Sequence, residues 1–88
     1  MSKLEIPSPR MIRAARGLLG IGQAQLAEFV GVAPRTIIRI EAEEETPTNP
    51  RRLHICENIR TVLEKSHGIK FVFSSSSSGE GVVMKRGA

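Results

Sequence analysis

The stretch from Gln23 to Glu41, QAQLAEFVGVAPRTIIRIE, narrows the folds open to this chain more than any other. Leu26, Ala27 and Val30 fall on one face at helical spacing, and Ile37 and Ile40 restart an apolar face further along. Between them Gly31 and Val32 interrupt. Pro34 fits only the first turn of a new helix, where its missing N–H is not needed. The pattern therefore predicts a helix, a tight turn and a second helix over roughly Pro34 to Ala42. Two helices crossing steeply need a small residue at the contact and a turn residue that tolerates positive φ. Ala27 supplies the first and Gly31 the second.

The remaining segments read as support for that corner. Met1 to Pro7 reads as a short arm, extended where Ile6 and Ser8 precede prolines. Ser8 then caps and Pro9 opens a first helix to about Leu19, with Ile12, Ala15 and Leu19 inward, and Gly20 and Gly22 end it around Ile21. Asn49 and Pro50 start a last helix that runs to about Ser66, with Leu53, Cys56, Ile59, Val62 and Leu63 inward and Gly68 as the stop. From there the apolar period becomes two. Ile69, Phe71 and Phe73 alternate with Lys70 and Val72, a serine run with Gly79-Glu80-Gly81 intervenes, and Val82 to Lys85 follows, which predicts strand, mobile loop, strand.

A two-stranded hairpin alone is marginal in water, so it needs a partner, and the expected one is the same hairpin in a second subunit. Dimerisation is assigned on that ground to Ile69, Phe71, Phe73, Val82, Val83 and Met84. The chain divides into an arm (1–7), a helical domain (8–67) and the hairpin (68–88).

A length of 88 residues leaves room for one domain with a modest core. The formal charge of +4 hides a segregation: residues 1–40 carry six positive and two negative side chains, 41–50 four negative, and 51–88 seven positive and three negative. Two basic flanks suit a polyanion. The single cysteine, Cys56, can form no intramolecular disulfide, and neither a signal-peptide core nor a membrane-length apolar run is present, so a cytoplasmic location without membrane contact is expected. No cofactor or metal is expected either. His54 and Cys56 point to different faces of a helix, His67 is isolated, and no serine lies in a nucleophile–base arrangement, so an enzyme is disfavoured.

The order and spacing of Gln23, Leu26-Ala27, Gly31-Val32, Thr36-Ile37 and Arg39-Ile40-Glu41 resemble the helix-turn-helix regulators of Cro and repressor type, the xenobiotic-response-element family. The resemblance reaches back to Ile12, Ala15, Arg16 and Leu19 and forward to about Phe71. It implies a mainly α, four-helix, lambda-repressor-like DNA-binding domain, here with a short C-terminal β-hairpin. Three positions depart from the family pattern. Gly22 replaces the usual capping Ser or Thr, Glu43 stands where a glycine commonly stops the recognition helix, so that helix could run on by a turn, and Cys56 stands for a leucine and reads as a buried small hydrophobe.

On a duplex, the outer face of the second motif helix would enter the major groove, presenting Ala33, Pro34, Arg35, Ile38 and Arg39 to base edges. Arg35 and Arg39 are one turn apart and share a face. Arg35 is the base reader, and Arg39 a base reader or a phosphate clamp. Ile38 meets a thymine methyl or a protein, unless it is an ordinary exposed residue. Phosphate contacts fall to Gln23, where family members grip the backbone, to Thr36, and to Arg51 and Arg52 beside the start of the last helix; Lys3 and Arg10 are further basic candidates. The resemblance pairs Arg16 with Glu41 as a partly buried architectural ion pair.

The expected partners are double-stranded DNA and a second copy of the chain, acting as a repressor on a palindromic operator. The alternative is an antiactivator or antitoxin-like module that binds another regulatory protein through Ile38 and the acidic run Glu43 to Glu45, a run that otherwise reads as a solvated linker. Two further options rank lower: a base-stacking platform of Phe71 and Phe73, and a winged-helix role for the hairpin.

Overall fold

In the computed structural model, which describes residues 5–75 and 79–85, four helices precede one antiparallel strand pair. They are α1 (Pro9–Leu19), α2 (Gln23–Val30), α3 (Pro34–Ala42), α4 (Pro50–Ser66), β1 (Ile69–Val72) and β2 (Gly81–Met84). Lys3, with the start of the arm, and the centre of the serine run lie outside the described residues. Helix starts have identifiable chemical causes. The Ser8 hydroxyl accepts the Met11 amide at 3.3 Å, Asn49 Oδ1 accepts the Arg51 and Arg52 amides at 2.9 and 3.3 Å, and proline occupies the first turn of α1, α3 and α4.

The corner is built at Ala27. It is buried, and its carbonyl accepts both the Gly31 amide at 2.8 Å and the Val32 amide at 3.0 Å. Gly31 closes α2 at φ 81°, a left-handed value that a side chain would oppose. Around the corner Ile12, Ala15, Leu26, Ile37, Ile40, Cys56, Ile59 and Leu63 form one buried cluster, to which β1 adds Ile69 and Phe71. Leu53 and Val62, expected inside, are only half-buried; Ile55 packs on the cluster from α4 instead.

The hairpin departs most from expectation. Its partner is the chain's own helical body: β1 lies on α4 and β2 on α1. Ile69 is fully buried and Phe71 nearly so, which stabilises by about 1.5–3 kcal/mol for each side chain, and that burial is intramolecular. These two residues are therefore not available to a second subunit. Phe73 also packs on this core, with the Arg60 guanidinium 4.7 Å from its ring centroid. Only Val83 and Met84 of the hairpin apolar set are exposed.

Polar bonds fix the hairpin further. Glu80 Oε1 accepts from the Ser8 hydroxyl at 2.9 Å and from Arg10 Nε at 3.0 Å, so its carboxylate sits at the positive start of α1. The end of the arm is likewise docked rather than free, with Pro7 buried and Ile6 packed on the core.

α3 stops at Ala42 without a glycine and does not run on. Glu43 is extended (φ −74°, ψ 152°), and two arginines attend the carboxyl end: Arg13 Nη1 donates to the Glu41 carbonyl, and Arg52 Nη1 meets Glu43 Oε1 at 3.2 Å. Cations at that end satisfy carbonyls that the helix leaves unpaired and oppose the acidic residues around them.

Candidate nucleic-acid interface

The periodicity of α3 buries Ile37, Ile40 and Glu41 and turns Ala33, Pro34, Arg35, Ile38 and Arg39 outward. Ile38 is 48% exposed, an apolar surface three residues after Arg35 and one before Arg39. Thr36 and Arg39 face the first turn of α4. There, with Asn49, Arg51, Arg52 and Ile55, they line a cleft of about 290 Å³. The structure thus brings Thr36, Arg39, Arg51 and Arg52 together, while Arg35 projects from α3 outside that lining.

Charge pairing separates the arginines. Arg10 is held by Glu80, Arg16 by Glu41, Arg52 by Glu43, and Arg60 by Glu64. Among the described residues, the guanidinium groups of Arg35, Arg39 and Arg51 have neither a carboxylate nor a hydrogen-bond acceptor. All three lie on or beside the outer face of α3. A planar fork of donors with no internal acceptor is the side chain best suited to phosphate or to the O6 and N7 edge of guanine. Arg52 differs from the expectation here, since Glu43 takes part of its charge and it braces α3 against α4.

The first-turn amides differ between helices in a way that the sequence only half shows. In α4 the Asn49 side chain consumes the Arg51 and Arg52 N–H groups, its carbonyl takes Leu53, and Pro50 has none, so that terminus offers its dipole and side chains but no free amide. α2 is the opposite case. Gly22 has no side chain with which to cap, and the Gln23, Ala24 and Gln25 amides keep no protein acceptor among the described residues. A helix start with unspent N–H groups is an anion site in waiting. The glycine in place of a capping hydroxyl was the signal.

Gln23 is tied to the scaffold. Its Nε2 donates to Glu41 Oε1 at 3.1 Å, which commits one amide hydrogen and leaves the other. The same carboxylate accepts Arg16 Nη2 on Oε1 and Arg16 Nε on Oε2, both at 2.8 Å, a two-pronged arrangement. Arg16 also donates to the Ile21 carbonyl at 3.2 Å. Its pKa is raised, chiefly by the hydrogen bond to Glu41. One buried carboxylate therefore joins α1, the start of α2 and the end of α3. Arg13, which holds the Glu41 carbonyl, was not singled out by sequence, although it stands three residues before Arg16 on the same helix.

The acidic run faces the chain's own cations. Beyond the Glu43–Arg52 pair, Glu44 and Glu45 line a shared groove with Arg10 and Arg13. Cys56 is fully buried, and desolvation pushes its thiol up to about 11, so it is not a nucleophile near neutrality.

Compared with known proteins, residues 12–58, just over half the chain, match the family model described as helix-turn-helix. The match covers α1 from Ile12 through the first half of α4 and leaves the hairpin outside. No curated protein matches the chain. No helix among the described residues is long and apolar enough to cross a membrane.

Proposed function

Because the chain belongs to the helix-turn-helix family of Cro and repressor type, whose members are DNA-binding transcriptional regulators, we propose that this one is a repressor acting as a homodimer on a two-fold symmetric operator in the cytoplasm. The observation that carries this reading is the set of unneutralised guanidinium groups, Arg35 and Arg39 on the face of α3 that a major groove would receive and Arg51 beside it at the start of α4. Arg35 reads a base edge. Arg39 stands where the groove wall meets the cleft and takes either a guanine or a phosphate. Arg51 and Thr36 take phosphates from the cleft, and the bare start of α2 with Gln23 takes another. Ala33, Pro34 and Ile38 supply apolar contact, Ile38 toward a thymine methyl. Repression follows from occupancy alone, since a protein seated on a promoter excludes polymerase without further chemistry.

The rival reading, a regulator that docks on a protein through Ile38 and the acidic run, is supported by the exposure of Ile38. It loses ground at Glu43 to Glu45, where the chain's own arginines stand opposite. Duplexes selected from a random pool and retested by mobility shift separate the two. The regulator holds a selected site against competitor DNA and loses affinity steeply with salt. A pool that yields no enriched sequence would favour the protein-docking reading.

A further inference from the structure

Among the described residues, Val82 and Met84 carry backbone groups that nothing else uses. The register pairs Ile69 with Met84, Lys70 with Val83, Phe71 with Val82 and Val72 with Gly81, and the Lys85 amide donates to the Gly68 carbonyl at 2.6 Å. In an antiparallel ladder bonded pairs alternate with non-bonded ones, so Gly68/Lys85, Lys70/Val83 and Val72/Gly81 are the bonded pairs. The N–H and C=O groups of Ile69 and Phe71 then point to the outer edge of β1, and those of Val82 and Met84 to the outer edge of β2.

The two edges are treated differently. On β1, Glu64 of α4 reaches over and accepts the Phe71 amide at 3.2 Å. On β2, no acceptor or donor accompanies Val82 or Met84 among the described residues. The open edge also carries the exposed apolar side chains of the hairpin, Val83 at 50% and Met84 at 45%.

Resting on the homodimer reading, we propose that β2 is the joint: it pairs antiparallel with β2 of a second copy about a two-fold axis through Val83. The backbone fits only certain registers. With the axis at Val83, Val82 of one copy meets Met84 of the other, and both belong to the unsatisfied set, so each pair exchanges two hydrogen bonds. Val83 meets its own counterpart as a non-bonded pair, side chains adjacent. The side chains fit as well. Val82 lies on the sheet face that Phe71 shares and that packs on α1, so the Met84 of the second copy arrives on that same face. There an apolar groove of about 350 Å³, lined by Met11, Ala14 and Val82 among others, stands open beside the edge. Met84, exposed in one copy, enters the groove of the other. The occupant is a second copy because strand and groove complement each other by symmetry, without any further partner.

Solution mass of the whole chain, taken from micromolar to millimolar concentration, tests this with two variants. Met84→Pro removes an N–H that faces the open edge and leaves the bonds to β1 intact. It is expected to halve the mass while the thermal unfolding curve of the helices is retained. Val83→Cys places two thiols within disulfide reach across the axis and is expected to give a covalent dimer on mild oxidation. Lys70→Cys, on the same sheet face but three strand spacings or roughly 14 Å from its counterpart, is expected not to cross-link. A native chain that stays monomeric throughout would overturn the homodimer and this joint together. A native dimer that survives Met84→Pro and does not cross-link through Val83→Cys would overturn the joint alone. If Met84→Pro does not fold, the cross-linking result decides.

Discussion

Replacing Glu41 by alanine should be the most damaging single change on the polar side of this molecule. The carboxylate is 2% exposed and accepts three hydrogen bonds, two from Arg16 at 2.8 Å and one from Gln23 at 3.1 Å. Removing one partner of a buried pair costs about 3–5 kcal/mol, mainly because the other charge is left without a counterion. Arg16 is 23% exposed and keeps its bond to the Ile21 carbonyl, so water recovers part of the loss, and the lower end, about 3 kcal/mol, is expected. At roughly 4–8 °C per kcal/mol for a domain of this size, the melting midpoint should fall by about 12–24 °C.

Circular dichroism at the helical minimum follows the transition, and a cycle with Arg16→Met isolates the pair. Arg16→Met with Glu41→Leu should melt well above Glu41→Ala, because two apolar side chains leave no stranded charge. A loss below about 1 kcal/mol in Glu41→Ala, or strict additivity in the cycle, would refute the assignment of a coupled pair.

Other expectations follow from single sites. Arg35→Ala should cost about 1–3 kcal/mol on a selected operator and relax one base position, whereas Arg51→Ala should weaken all duplexes alike and lower the salt slope by about 1, both by titrated mobility shift. Gly31→Ala meets no atom within 4 Å, so only the left-handed φ opposes it, and a loss of about 1–2 kcal/mol in thermal unfolding is expected. Cys56 binds its proton more tightly folded than unfolded. Its contribution is intact below the ordinary thiol value of 9.0 and fades as pH rises through about 11, so stability should fall across that window by about 2–3 kcal/mol more than in Cys56→Ala. Parallel denaturant melts at stepped alkaline pH check it, and identical slopes for the two proteins would contradict it.

The helices were legible because their ends are written in local chemistry. Ser8, Asn49 and three prolines mark starts that need no tertiary help, and Gly20, Gly31 and Gly68 mark turns that only glycine takes easily. The end of α3 was less legible, because what holds it are arginines distant in sequence, Arg13 and Arg52. The hairpin shows a different limit. Alternation reveals that Ile69 and Phe71 share an apolar face but not which body covers it, and the cover turned out to be the chain's own helices. At the interface, sequence gathers the basic candidates but cannot sort them. Arg35, Arg39 and Arg51 differ from Arg52 only through the reach of Glu43, and one hydrogen of the Gln23 amide is already spent on Glu41.

Glu64 has a consequence that reaches past the single molecule. A ribbon with both margins open can add copies at either side indefinitely, the route by which sheets grow into fibres. Here a helix carboxylate takes the Phe71 amide on one margin, so under the proposed joint, addition at the other margin would end after one event. Under that joint the same side chain that completes a stray amide would limit how many chains can join, and its loss should show first as light scattering on storage, before any change in melting.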